Sequence, residues 1–365
     1  MSAANADIGK LTRPPRFASV DALRGITVAA MLLVNNPGDW DHVYAPLLHS
    51  QWNGCTPTDL VFPFFLFIVG VSIALGITPR VEAGADRSAL AGAVCWRAAK
   101  IILIGLTLHA LAYWWLDREW FRPWGVLQRI GICFAVAGLL TIHVPRRWQW
   151  LLTAVLLIGY WALLAGNGGY LPWTNLASRL DTTLLGPLLY QYDPATGLGH
   201  DPEGLLSTLP AIASVLLGMR AGDWLRAGRT RALWLFAGAL LLAGVAATPV
   251  MPFNKNLWTS SYALWTAGWA CVALAAAHVL IDVRGWPALG RRFGVNAIAA
   301  YAGSSLMVIA LAALGWWQPI YQNLFVQPMA AADPRLPSLC MALVFVAVWW
   351  LLVWWMDARR WYLKV

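Results

Sequence analysis

Polar groups able to do chemistry gather at a few points beside long apolar runs. The first run closes on Leu33-Val34-Asn35-Asn36-Pro37-Gly38-Asp39. A loop with His42 and His49 follows, and then Trp52-Asn53-Gly54-Cys55-Thr56-Pro57-Thr58-Asp59-Leu60. His49 is the strongest candidate for proton transfer. Its imidazole titrates near neutrality when unperturbed, at about pH 6.5, and it sits beside Trp and Asn between two apolar spans. Asp59 has two readings. Thr56 suits a helix N-cap, Pro57 the first helical position and Asp59 the acidic position of a capping-box-like start. Alternatively, Asp59 is a carboxylate placed for catalysis. Spacing alone leaves both open.

Similar clusters recur further on. Asp201-Pro202-Glu203-Gly204 opens another apolar run, with Asp201 placed as an N-cap and Pro202 as the first helical residue. Pro252-Phe253-Asn254-Lys255-Asn256-Leu257-Trp258-Thr259 opens a third. Lys255, between two Asn residues, could bind a sugar hydroxyl or an anion, or simply be solvated. Arg129 stands inside an apolar run, in Gln128-Arg129-Ile130. A guanidinium there must face a cavity or a partner; a carboxylate such as Asp59 or Glu203 is the expected partner, and an anionic ligand the alternative. Asp21 and Arg24, three apart, can pair along one helix face. His109, His143 and His278 lie in or at the ends of apolar runs, where packing roles are expected.

The five cysteines form no CxxC pair, so neither a disulfide framework nor a metal centre is expected. Neither a GxGxxG motif nor a P-loop occurs, and no basic segment interleaved with aromatics points to nucleic acid.

The elements that must position these groups follow from composition. Of 365 residues, 59% are hydrophobic and 12% charged, about half the charge of an ordinary soluble domain. That excludes a soluble multidomain enzyme and a disordered chain. Unbroken apolar stretches argue against a β-barrel. The expected fold is an all-α polytopic transmembrane bundle. Ten spans are expected, over 19–36, 57–78, 92–114, 125–144, 148–166, 203–220, 231–248, 259–281, 293–315 and 338–356. A long loop at 167–202 and a polar tail at 1–18 complete a single domain over 1–365. The first span has no cleavage pattern after it and reads as retained.

Basic residues set the orientation. With both termini in the cytoplasm, that side collects Lys10, Arg13, Arg16, Arg24, Arg80, Arg87, Arg97, Lys100, Arg146, Arg147, Arg220, Arg226, Arg229, Arg231, Arg284, Arg291, Arg292, Arg359, Arg360 and Lys364. The other side holds Arg118, Arg122, Arg179, Lys255 and Arg335. Twenty against five obeys the positive-inside rule, which also accounts for the net charge of +9. It puts the 167–202 loop outside. Most of the 24 Trp residues fit an interfacial belt.

The ordered set of motifs resembles the heparan-alpha-glucosaminide N-acetyltransferase family and its bacterial membrane relatives. The residues that carry it are Ser19-Val20-Asp21-Ala22-Leu23-Arg24-Gly25, the Asn35 region, Trp52 through Pro63, Leu127-Gln128-Arg129-Ile130, Asp201 through Leu206, Asn254-Lys255-Asn256-Leu257-Trp258 and Gly294-Val295-Asn296-Ala297-Ile298. Against the lysosomal members of that family, the expectation is the bacterial ten-helix form without their extra luminal domain. The resemblance implies an enzyme that moves acetyl from cytosolic acetyl-CoA, without a metal, to the amine of a glucosamine-type sugar across a bacterial inner membrane. It places the family's catalytic histidine on His49 and its asparagine on Asn35, or on Asn36 one residue along. His49 would act as general base or as a transient acetyl carrier, and an Asn amide would steady the oxyanion. Asn36, Trp52, Asn53, Asp59, Glu203 and Lys255 are then the expected acceptor contacts, and Arg129 a contact for the donor. Acetyl-CoA, an amino sugar and the lipid bilayer are the implied partners, with a homodimer left open. A secondary transporter of a polar solute and a membrane scaffold are the competing classes.

Overall fold

The computed structural model describes residues 17–331 and 333–363. Lys10, Arg13, Arg16 and Lys364, and all but the end of the 1–18 tail, lie outside the described residues. Each expected span falls on a helix. In chain order these are α1 (Ala18–Asn35), α2 (Val61–Gly76), the short α3 (Thr78–Glu82), α4 (Arg87–Trp115), α5 (Val126–His143) and α6 (Arg146–Ala165). Then come α7 (Leu176–Leu185), the strands β1 (Gln191–Asp193) and β2 (Leu198–His200), α8 (Thr208–Arg226), α9 (Thr230–Ala246) and α10 (Ser260–Ala277). The chain ends with α11 (Arg291–Val295), α12 (Ala297–Ala313), α13 (Trp317–Tyr321) and α14 (Arg335–Ala358). The protein is an all-α polytopic membrane protein. Among the described residues, seven helices are long and apolar enough to cross a bilayer. An eighth is possible if α12 and the segment from Trp317 to Met329, bent by 98° against it, form one broken span.

Of the ten expected spans, α8 and α9 fail that test for different reasons. α9 is short. α8 ends in Arg220, Asp223 and Arg226, but it is buried on nearly every side. It packs along α2 and also meets α5, α6, α9 and α10. The α2–α8 contact is backbone to backbone. A Cβ on Gly70 would fall 2.0 Å from the Val215 carbonyl oxygen, and one on Gly218 2.0 Å from that of Phe67. Only glycine allows this approach, so the two helices that frame the site are held in one register.

The sequence placed a helix start at Asp201-Pro202; α8 begins at Thr208 instead. Asp201 caps a turn, accepting the Glu203 amide at 2.9 Å. The Gly204 carbonyl is drawn to Arg129 at 2.9 Å and Thr208 Oγ1 at 2.9 Å, which postpones the helix. The 167–202 segment is structured, as expected: α7 is followed by an antiparallel hairpin pairing Gln191 with His200.

Candidate active site

His49 is in the α1–α2 loop with its side chain 41% exposed, while Asp59 beneath it is fully buried. The two meet at 2.7 Å, imidazole Nδ1 to carboxylate Oδ1. The other oxygen, Oδ2, accepts the Ser50 amide at 3.1 Å, the Thr56 amide at 2.9 Å and the Thr56 hydroxyl at 3.0 Å. Asp59 therefore makes contacts through both of its oxygens. One oxygen closes the capping box that starts α2 through a short 3₁₀ turn at Thr58–Leu60. The other holds the imidazole. An ionised carboxylate only accepts, so Nδ1 carries the proton and Nε2 presents a lone pair.

Lys255 reaches that lone pair. Its Nζ lies 3.2 Å from His49 Nε2, across 206 residues of sequence. Burial pushes the Lys255 ammonium below its ordinary pKa, while Glu203 and Asp59 nearby pull the other way. The loop carrying Lys255 is held by hydrogen bonds. Asn254 Oδ1 accepts the Leu257 amide at 2.8 Å, and its Nδ2 donates to Asn53 Oδ1 at 3.0 Å. Gly54, with φ of +124°, donates its amide to Phe253 at 2.8 Å and ties the Trp52-Asn53-Gly54 turn to this loop. Trp258 ends the loop in the left-handed region, at φ of +51°. A tryptophan adopts that backbone only under compulsion. Here its buried ring is edge-on to Phe62 and Tyr262, 5.3 Å from the Arg129 guanidinium, with its N–H on Ser214.

Beside this centre is a second charged group. Arg122 grips Asp201 through Nε at 2.9 Å and Nη2 at 2.5 Å, and Glu203 at 2.8 Å. Arg122, unlike Arg129, is therefore the ion-pair partner of Glu203, which corrects the expected pairing. Arg129 is fully buried and bonds the Gly204 carbonyl and the Ser207 hydroxyl. Among the described residues its Nε and Nη1 have no hydrogen-bond partner. Sequence reasoning missed Arg122, counting it only as an outside charge. The signal was the pair of acids in Asp201-Pro202-Glu203, which needs a cation when buried.

Trp52 is half-buried, its N–H on the Tyr170 carbonyl at 2.7 Å and its ring edge-on to His200 at 5.0 Å. Burial drives His200 down to about 4, so it is neutral. Asp181 on α7 is pushed up to about 7, again by burial. Asn35 and Asn36 are elsewhere. Asn36 bonds back to Leu32 at 2.7 Å. Both line a pocket of about 440 Å³ with Asp39, Trp40, Trp317 and Gln318. No hydrogen bond joins either to His49 among the described residues. The Asp21–Arg24 pair forms as expected, at 3.1 Å.

At the opposite end of α2 is a cavity of about 550 Å³. Arg24, Arg80 and Arg97 stand around it, and Phe65, Ile73, Ile101 and Ile130 form its apolar wall. It runs along α2 from Phe65 to Gly76, so its near wall is six residues from Asp59, about 9 Å at 1.5 Å per residue. Among the described residues no group of three or more His, Cys, Asp or Glu is placed to hold a metal ion.

A membrane-embedded helical bundle with a buried carboxylate–histidine pair at one end and a basic cavity at the other defines the class. Residues 16–249 match the family described as Heparan-alpha-glucosaminide N-acetyltransferase, catalytic, and the chain belongs to that family. It is 33% identical over 355 residues to the heparan-alpha-glucosaminide N-acetyltransferase of Homo sapiens, with 80% of this chain and 53% of the relative covered. The Mus musculus protein of the same name is 32% identical over 356 residues, at 80% and 54%. The chain thus spans about half the length of these relatives.

Proposed function

We propose that the protein is an acetyl-CoA-dependent N-acetyltransferase of a bacterial inner membrane, acetylating the amine of a glucosamine-type sugar on the periplasmic side. The observation that carries this reading is the His49–Asp59 contact at 2.7 Å, which leaves Nε2 as a base at the exposed end of the bundle. Family membership supplies the reaction class.

The arrangement suits direct transfer. The sugar amine displaces Lys255 from Nε2 and gives His49 its proton as nitrogen attacks the thioester carbonyl. Asp59 balances the imidazolium charge. The released Lys255 ammonium is next to the forming oxyanion, where a cation in a partly dry site stabilises it. Collapse breaks the C–S bond, and the imidazolium proton passes to the CoA sulfur. Amide and free thiol are the products, and His49 is neutral again.

The donor fits the basic cavity. Guanidinium groups of Arg80 and Arg97 suit phosphates, and the apolar wall suits the long pantetheine arm. Positive-inside bias makes this the cytoplasmic end. Purified protein given acetyl-CoA and glucosamine should release CoA and form N-acetylglucosamine. Solute flux in vesicles without acetyl-CoA, together with no CoA release, would favour a transporter and reject this reading.

A further inference from the structure

A second arginine-rich cavity stands apart from the one assigned to the donor. It has a volume of about 400 Å³ and lies where the start of α6 meets the end of α8 and the start of α9. Arg146, Arg220, Arg226 and Arg229 line it, with Trp150 and Trp224. The acids within reach are few. Asp223 accepts from Arg146 at 2.9 Å and is 3.0 Å from Arg220. Glu82 takes Arg226 at 2.5 Å and 2.8 Å and Arg146 at 3.4 Å. Arg220 is buried and further held by Gln149 at 2.8 Å. No ion pair of Arg229 occurs among the described residues. Four guanidinium groups thus face two carboxylates, and the cavity keeps an excess of positive charge.

Its setting separates it from the donor cavity. That cavity is walled by α2, α4 and α5 and reaches Ile130, next to the buried Arg129. The second cavity lies between two perimeter helices. α6 exposes Leu151, Val155 and Ile158, and α9 exposes Trp234, Leu235 and Leu242, so both flanks face lipid. Trp150, Trp224 and Phe236 form an aromatic wall, with Trp224 and Phe236 edge-on at 4.8 Å and Trp150 and Phe236 at 6.0 Å. Trp150 is 40% exposed. A site open both to arginines and to the lipid-facing flank suits a molecule with an anionic head and an apolar tail.

We propose that this cavity binds the headgroup of an anionic phospholipid. The phosphodiester is held by Arg146, Arg220 and Arg229, and an acyl chain runs along Trp150 and Trp224. Arg226 stays with Glu82, and Asp223 keeps the guanidinium groups aligned. Bound this way, the lipid ties α6, α8 and α9 together at the end where their charges converge. The proposal is independent of the acetyltransferase reading, and its test needs no turnover.

The test uses delipidated, detergent-purified protein and short-chain lipids. Dioctanoyl phosphatidylglycerol should raise the unfolding temperature in a saturable way. Dioctanoyl phosphatidylcholine and inorganic phosphate at the same concentrations should not. Arg229→Gln should weaken the phosphatidylglycerol midpoint about tenfold, the loss of one charge-assisted hydrogen bond, and Arg146→Gln should do the same. Arg80→Gln, in the other cavity, should leave it unchanged. If Arg146→Gln fails to fold, the exposed Arg229 and the lipid comparison still decide. Equal stabilisation by both lipids, an unchanged midpoint in Arg229→Gln, or an equal response to inorganic phosphate would overturn the proposal.

Discussion

Replacing Asp59 by Asn removes one charge, and the surroundings dictate which way the new amide faces. Three donors converge on Oδ2: the Ser50 amide, the Thr56 amide and the Thr56 hydroxyl. They hold the amide oxygen there, because an NH₂ group would meet three donors. The NH₂ must then point at His49 Nδ1, 2.7 Å from the other position. Nδ1 becomes the acceptor, the proton moves to Nε2, and the base is lost. The new Nε2–H also points at the Lys255 ammonium. Stability should change little, by about 1–2 kcal/mol, as one charge-assisted hydrogen bond becomes neutral and the cap survives. Turnover should fall about 10²- to 10⁴-fold, the range for losing a general base or its tautomer. The assay is CoA release with acetyl-CoA and glucosamine at saturation, beside a thermal unfolding curve. A folded Asp59→Asn protein keeping more than a tenth of parental turnover would refute the argument that Asp59 fixes the reacting tautomer.

Three further outcomes are expected. His49→Ala should abolish acetyl transfer while unfolding near the parent, since its side chain is 41% exposed and little packing is lost; near-normal turnover would remove it from the chemistry. Arg129→Lys should lower both unfolding temperature and activity, because one ammonium cannot span the Gly204 carbonyl and Ser207 hydroxyl and also lie over Trp258. The cost is about 2–4 kcal/mol, and an equally stable, fully active variant would show Arg129 to be dispensable. Asp181 titrates at about 7 in the folded protein against an ordinary 3.8. Burial favours its protonated form, so this contribution is fully present below about pH 4 and is lost as pH rises to about 7. The loss is about 4 kcal/mol by pH 8 and about 1–2 at pH 5. Asp181→Asn should therefore gain stability relative to the parent between pH 5 and pH 8 in thermal melts, and a constant difference would place the carboxyl in a wetter setting.

Much of the fold was legible because span formation is local. Twenty apolar residues in a row carry their own reason to be helical in lipid, and all ten expected runs fall on helices. The capping box at Thr56–Asp59 and the Asp21–Arg24 pair were legible for the same reason: each is set within one helical turn. α8 shows the limit. Its start moved from Asp201 to Thr208 because Arg129, from another helix, takes the Gly204 carbonyl.

What the sequence determined by itself is the class, the helices and the residue types able to do chemistry, because hydropathy and capping act over a few residues. What the tertiary structure decided is which of those residues meet. His49 and Asp59 share a loop and its helix start, yet Lys255 comes 206 residues later, and Arg122 takes the acids that Arg129 was expected to hold. Asn35, close to His49 along the chain, turns into a different pocket with Trp317. Such contacts depend on backbone approaches like that of Gly70 and Gly218, which fix how far helices from distant parts of the chain slide past one another. That register follows from packing the whole bundle at once, so no local pattern encodes it.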